Sequence, residues 1–358
     1  MTLPAALAIN EPARLEDHRR ATISPALLAY LAPLRQLLAG DVTEVVVNRP
    51  GEAWTESAHG WQRHDIPELS FSHLMQLATL CASSSAQKID DQMPLLSAAL
   101  PTGERIQVVV PPGTTANCVS FTIRKPSSVR LTLADYERSG AFDDISTGSN
   151  PSRSVEEHLL AALHERHIAE FLRVAVQSRQ NIVVSGATGS GKTTLTKTLI
   201  DLIPSDERLI TIEDTPELDL HHHQNHVRLF YSKDGQGVSR ATPKQLLEAC
   251  LRMKPDRILL AELRSEEAFY YIRNVNSGHP GSITSVHATS PELAFEQLML
   301  LVKESPGGSQ MPREDIKQLL YMLVDIVIQF GRVEGGKRRI TGIYYNPAKK
   351  NAMVSNHA

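Results

Sequence analysis

The chain is poor in cysteine, in long apolar runs and in excess positive charge, and each shortage removes a class of function. Its three cysteines, Cys81, Cys118 and Cys250, lie far apart with no CxxC pair. Such spacing argues against both a disulfide framework and a zinc site, so each thiol reads as a small core residue in a reducing compartment. No stretch approaches the ~18 consecutive apolar residues of a membrane-spanning helix, so any membrane association is expected to be peripheral. The opening residues MTLPAALAINEPARLEDHRR lack a basic start, and Pro4 and Asn10 break their short apolar run, so no secretory signal is expected there. Lys and Arg number 37 against 40 Asp and Glu, a net charge of -3. A polyanion-binding protein is usually basic, so nucleic acid is disfavoured as the main partner. These features point to a cytoplasmic protein.

What is present suffices for packed cores: 41% of the 358 residues are hydrophobic, and the length suits about two domains. Ser24-Pro25 opens a helix through Leu38 with a serine N-cap and proline at N1, and Pro33 is a candidate kink. Thr43–Asn48 reads as a strand closed by the turn Arg49-Pro50-Gly51, and Ser72–Ser83 as a helix. Ile106–Val110 and Val119–Arg124 read as strands around the Pro111-Pro112-Gly113 turn. The composition then shifts. Residues 139–153 are rich in Ser, Gly, Asp, Asn and Pro, and read as a flexible linker between a domain of residues 1–138 and one of residues 154–358. Ser154 to Glu157 matches a capping box that would start the next helix. Strands and helices alternate from there, which implies a mostly parallel sheet covered on both faces. The chain closes with a hairpin signal: Asp325–Phe330, the turn Glu334-Gly335-Gly336, then Arg339–Tyr345.

The strongest chemistry lies in Gly186-Ala187-Thr188-Gly189-Ser190-Gly191-Lys192-Thr193, followed by Thr194. Gly186 and Gly191 permit backbone conformations and close approaches that a Cβ would block. Successive N–H groups then cradle phosphates at a helix N-terminus. Lys192 reaches the β- and γ-phosphates, and the Thr193 hydroxyl ligates Mg²⁺ through the bound ATP. The apolar strand NIVVS before the loop and the apolar helix after it are what this mechanism requires.

Hydrolysis also needs a carboxylate to orient water. Arg257-Ile258-Leu259-Leu260-Ala261 is a buried strand that ends in Glu262. Thr211-Ile212 is another that ends in Glu213 and Asp214, with Glu213 the better candidate. In a doubly wound sheet, ligands sit beyond the C-terminal ends of the strands, so both acids would face the loop. His287 ends the strand Ser282–Val286 on the same rim and is a candidate γ-phosphate sensor as well as a candidate structural residue. His221-His222-His223 with His226 invites a metal reading, but consecutive histidines cannot all point one way, and a solvated loop is expected. Lys337-Arg338-Arg339 reads as a solvated hairpin turn.

Four segments in this order, Gly186–Thr194, Thr211–Leu218, Arg257–Arg264 and Gly278–Ala288, resemble the P-loop, Asp box, acidic strand motif and His box of the type II/type IV secretion and pilus traffic ATPases. Ala261 stands where many P-loop enzymes have aspartate, which also resembles this family. Glu44–Asn48, Leu100–Arg105 and Phe121–Pro126 resemble its N-terminal domain. The short chain without a four-cysteine insertion is most similar to the type IV secretion ATPases of the conjugation and effector-export branch. The resemblance implies a RecA-like C-terminal domain, a smaller α+β N-terminal domain, and ATP hydrolysis with Mg²⁺ in a homohexameric ring. It implies that Arg105 and Arg124 contact the phosphates, a role a guanidinium can fill as an arginine finger. Inner-membrane secretion components, a transported protein or nucleoprotein, and contact with the cytoplasmic face of the inner membrane are the partners it suggests. A small-molecule kinase, a nucleic-acid translocase and a non-hydrolytic assembly module are the alternatives.

Overall fold

A computed structural model describes residues 24–126, 132–143, 153–233, 236–275 and 277–355. The chain divides into two compact units, one of residues 1–110 with 117–127 and one of residues 111–116 with 128–358. The expected linker of residues 139–153 lies mostly outside the described residues, as does the N-terminal segment 1–23.

In the first unit, α1 (Pro25–Leu38) buries Leu27, Leu31, Leu34 and Leu38, a spacing that puts one apolar stripe on one face. The helix runs through Pro33 rather than ending there. The second helix, α2 (Phe71–Ser84), starts where the Ser70 hydroxyl accepts from the His73 N–H. Both pack on a six-stranded antiparallel sheet of order β3-β2-β1-β6-β5-β4. Its strands are β1 (Glu44–Val47), β2 (Glu52–Ser57), β3 (Gly60–Asp65), β4 (Leu95–Ala99), β5 (Arg105–Val109) and β6 (Ser120–Arg124). The strands β2, β3 and β4 carry little apolar alternation: β3 reads GWQRHD and is mostly exposed, so only pairing with β2 holds it extended.

The second unit opens with the short helix α3 (Leu133–Arg138), whose Thr132 and Asp135 form a reciprocal capping box. The following helix, α4, spans Arg153–His164, so Ser154 lies inside it and is not its cap. Next come α5 (Ile168–Gln177), β7 (Ile182–Ser185), α6 (Lys192–Ile200), β8 (Leu209–Glu213), β9 (His226–Phe230), α7 (Pro243–Cys250), β10 (Arg257–Leu260), α8 (Glu267–Val275) and β11 (Ile283–Val286). The helices α9 (Pro291–Glu304) and α10 (Arg313–Leu323) precede the hairpin β12 (Ile326–Arg332) and β13 (Arg338–Tyr345), and α11 (Pro347–Ser355) follows it. β10, β8 and β9 pair in parallel, as do β11, β7 and β12, while β13 adds an antiparallel edge. Side chains bridge the two ladders: Ser282 Oγ donates to the Ile258 carbonyl and Ser285 Oγ to the Ala261 carbonyl, each at 3.0 Å. The core runs through Ile182, Val184, Leu199, Leu209, Leu259, Ile283 and Ile326, all fully buried.

The expected solvated histidine loop holds for His221 and His222, which are exposed in a turn, and fails for His223 and His226. His223 is buried and its Nε2 lies 3.0 Å from the Ile203 carbonyl, while His226 begins the strand. Burial pushes the His223 pKa down, so it packs as a neutral ring. Among the described residues no cluster of His, Cys, Asp and Glu could hold a metal, and all three cysteines are free.

Candidate active site

The loop between β7 and α6 is shaped by contacts that leave no room for a side chain. A Cβ at Gly186 would lie 2.2 Å from the Phe330 carbonyl oxygen of β12 and 2.7 Å from Ser190 Oγ. Gly189 and Gly191 take φ of +70° and +101°, in the region L-residues avoid. Gly191 caps α6, so the unpaired N–H groups of the first turn sit at the loop, where the helix dipole favours an anion.

Lys192 is 7% exposed and folds back over the loop. Its Nζ donates to the carbonyls of Gly186 at 3.0 Å and Ala187 at 3.4 Å, and lies 3.2 Å from His287 Nδ1. Burial lowers its pKa, against the opposing pull of Glu262. A buried ammonium held by neutral carbonyls is a ready partner for an arriving anion.

Glu262 follows β10 and reaches the same place. Its Oε1 lies 2.7 Å from His287 Nε2 and 4.0 Å from Lys192 Nζ. The ammonium can only donate, so His287 Nδ1 accepts and Nε2 carries the proton facing Glu262. That contact is close but not aligned as a hydrogen bond, and Glu262 Oε1 is buried without an aligned donor. The other oxygen, Oε2, accepts from Arg264 Nε at 2.6 Å, and Arg264 Nη1 spans to Asp214 at 3.1 Å. Burial disfavours the Arg264 charge, but Glu262 and Asp214 outweigh it and raise its pKa.

Glu213 is arranged differently. It is 1% exposed, and its carboxylate is paired with both Arg228 Nε and Nη2 at 2.9 Å. The same carboxylate accepts from Thr211 Oγ1 at 2.6 Å and from the N–H groups of Glu217 and Leu218 at 2.9 Å each. So many donors leave it no lone pair for water, and they fix the turn after β8. That turn carries Asp214 to Arg264, and Glu217 to Thr193, whose hydroxyl donates to Glu217 Oε2 at 3.3 Å. Glu217 is the group that spacing alone does not single out, and Arg264, noticed in sequence only as the residue following the acid, is found here holding Glu262 and Asp214. Both roles become legible only when two strand ends are placed side by side.

Arg338 is exposed, as expected of a solvated turn, and its stem lies beside the loop. A Cβ at Gly191 would meet Arg338 Cδ at 3.0 Å and Phe330 Cε1 at 3.1 Å, so the hairpin side chains lie against the loop. In the first unit, Arg105 on β5 and Arg124 on β6 are register partners, and Glu44 on β1 is next in the row, with Arg124 Nε 3.4 Å from its carboxylate. Directly opposed like charges disfavour a sheet, and the Glu44 carboxylate offsets part of that repulsion in this row.

The model of the Type II/IV secretion system protein family matches residues 28–327. Curated relatives include "Type IV secretion system protein VirB11" of Bartonella henselae, 49% identical over 336 residues covering 90% of this chain and 94% of that one. The protein of the same name from Brucella suis is 48% identical over 334 residues, covering 92% of each chain. The crystal structure of the VirB11 ATPase from Brucella suis in complex with sulphate superposes with a TM-score of 0.85 at 47% identity, covering 91% of this chain and 99% of that chain.

Proposed function

We propose a division of labour at one ATP-hydrolysing site for this chain, which belongs to the Type II/IV secretion system protein family. The chain is an ATP hydrolase of a type IV secretion system and binds nucleotide through a RecA-like domain. In our reading the loop Gly186–Thr194 and Lys192 take the β- and γ-phosphates. Lys192 moves from the carbonyls it now contacts to the phosphate oxygens. Glu262 activates the attacking water through Oε1, and His287 links that carboxylate to Lys192 and so senses the γ-phosphate. Arg264 holds the other oxygen of Glu262 in place. Glu213 acts at one remove, by fixing the turn that presents Asp214 and Glu217.

The donor set fits Mg²⁺ as ATP brings it: the Thr193 hydroxyl faces the carboxylate of Glu217, an all-oxygen pair at the loop. When bound, Mg²⁺ neutralises charge on the phosphate oxygens. Arg105 and Arg124 supply further positive charge to the phosphates from the first unit. We assign the motor to a homohexamer peripheral to the cytoplasmic face of the inner membrane. It works there with other components of the secretion system on a protein or nucleoprotein substrate. Among the described residues no helix is long and apolar enough to cross a membrane.

The observation that carries this reading is Glu262 Oε1, a buried carboxylate oxygen without an aligned donor, 4.0 Å from the loop lysine. The test is phosphate release from ATP and Mg²⁺ by the wild type beside Glu262→Gln. The wild type is expected to turn over, and the variant to bind ATP without turnover. Equal rates would remove Glu262 from the catalytic role. In the same assay, replacing Arg105 and Arg124 together with alanine is expected to lower turnover, and an unchanged rate would remove them from the phosphate site. A single monomeric species in light scattering with ATP would count against the ring.

A further inference from the structure

The turn between β5 and β6 is not exposed as a hairpin tip ordinarily is. Residues 111–116 belong to the second unit, although the chain on either side of them belongs to the first. Gly113 and Thr114 of this turn are buried, Thr114 with 4% of its surface exposed. Connecting segments usually run over the surface, so a buried tip has a partner.

The partner is β9, the outer strand of the ladder β10-β8-β9. Thr114 forms an antiparallel bridge with Leu229. The Phe230 N–H donates to the Gly113 carbonyl at 2.9 Å, and the Thr114 hydroxyl donates to the Arg228 carbonyl at 2.8 Å. An outer strand leaves one row of backbone groups without a sheet partner, and this turn satisfies them over residues 228–230.

The same stretch supports the acids beyond the strand ends. Arg228 holds Glu213 through Nε and Nη2 at 2.9 Å each, a two-pronged pairing that needs the guanidinium plane in one place. Its guanidinium also lies 5.3 Å from the centre of the Phe230 ring. The next residue, Tyr231, donates its N–H to the Glu213 carbonyl at 3.2 Å. Burial, then the charges of Glu267 and Asp214, push the Tyr231 pKa up, so its side chain sits among the acids. Of the bonds between the turn and β9, the one from the Thr114 hydroxyl is supplied by a side chain and can be removed alone.

We propose that Thr114 is a positioning residue of the hydrolytic site. Its hydroxyl fixes the backbone of Arg228, the Arg228 guanidinium fixes Glu213, and Glu213 fixes the turn that presents Asp214 to Arg264 and Glu217 to Thr193. The assignment rests on the division of labour proposed above, in which Glu213 works at one remove.

The test is steady-state phosphate release from Mg-ATP by the full chain, with thermal melts of every protein. The variants are Thr114→Val, Thr114→Ser, Arg228→Lys, the double variant of Thr114→Val with Arg228→Lys, and Glu262→Gln. Valine keeps the shape of threonine and loses the donor, whereas serine keeps the donor. Thr114→Val is expected to lower kcat by on the order of tenfold with KM changed by less than about twofold, because misplacement at the reacting end costs rate rather than binding. Thr114→Ser is expected to restore most of the rate. Arg228→Lys keeps the charge but cannot hold both carboxylate oxygens, and is expected to show the same split. The double variant is expected to be no slower than the slower single one, because both changes act through Glu213.

A Thr114→Val protein that melts lower yet keeps the wild-type kcat overturns the proposal. So does a serine variant as slow as the valine one, or losses that multiply in the double variant. Should Thr114→Val not fold, a wild-type kcat in Arg228→Lys overturns it instead. Glu262→Gln separates this failure from a deeper one. If it turns over like the wild type, the division of labour beneath the proposal falls. If it is inactive while Thr114→Val is unimpaired, the role of Thr114 alone falls.

Discussion

Glu262 Oε1 and His287 Nε2 lie 2.7 Å apart, and the other nitrogen of the same ring lies 3.2 Å from Lys192 Nζ. The imidazole thus ties the acid of one strand end to the lysine of the phosphate loop. Loss of phosphate contact at Lys192 would be felt at Glu262 through this ring. His287→Ala is expected to slow turnover by about 10- to 100-fold while ATP affinity changes little, because the ring acts on the reacting end. Steady-state phosphate release and equilibrium ATP binding separate the two effects. A variant that keeps its rate but loses affinity would make His287 a binding group only.

Gly186 and Gly189 belong to one motif but are glycine for different reasons. At Gly186 a methyl group would press on the backbone carbonyl of Phe330 at 2.2 Å, and backbone in mid-sheet cannot step aside. At Gly189 nothing lies within 4 Å and only the positive φ objects. Gly186→Ala is therefore expected to cost about 1–3 kcal/mol or more and to distort the loop. Gly189→Ala is expected to cost roughly 1–2 kcal/mol, from backbone strain alone. Thermal melts and ATP titrations of both would show it, and equal effects would contradict the distinction.

Glu213 and Asp214 adjoin each other in sequence and part company in space. Glu213 is enclosed by Arg228, Thr211 and two backbone N–H groups, whereas Asp214 reaches Arg264. Glu213→Gln leaves the Arg228 guanidinium facing a neutral amide and is expected to cost on the order of 3 kcal/mol. Turnover at low temperature should survive better than in Glu262→Gln. Abolished turnover with an unchanged melting temperature would return Glu213 to direct work on water.

The P-loop was fully legible in sequence because its requirements are local: a strand, a glycine-rich turn and a helix that begins with Lys192. The strands β7, β8, β10 and β11 were legible for a related reason, since strands buried on both faces must be continuous apolar runs such as IVVS and RILL. β2, β3 and β9 were not, because strands with an exposed face or a buried charge take their conformation from neighbours in the sheet. Spacing put Glu213 ahead of Asp214 for work on water and could not show that Glu213 is saturated by donors. Both end the same strand, and the donors that saturate Glu213 include Arg228, fifteen residues later on β9, and the N–H groups of Glu217 and Leu218 in the turn. Arg338 is exposed, as the reading of a solvated hairpin turn has it, and only the folded hairpin shows that its stem lies beside Gly191.

The pair Glu207–Arg257 sets how the second unit meets acid. Arg257 begins β10 and is fully buried; its Nε and Nη2 hold the two oxygens of Glu207 at 2.7 and 2.9 Å. Its Nη1 ties the carbonyls of Val176 and Gly281 at 2.9 and 3.3 Å, so one guanidinium joins the ends of α5, β10 and β11. Burial alone would raise the Glu207 pKa, but the hydrogen bonds and charges of Arg257 and Arg179 outweigh it, and the net shift is downward from 4.5. A carboxylate with a depressed folded-state pKa binds fewer protons folded than unfolded. Its stabilisation is therefore complete above the ordinary value and is lost as pH falls through the depressed one. The wild type should lose stability below about pH 4.5, as protonation leaves Arg257 buried beside a neutral acid. Glu207→Gln should start less stable by on the order of 3 kcal/mol and show a shallower acid limb. Urea titrations between pH 3 and 7 would read both slopes, and parallel limbs would show that other carboxylates govern the acid response.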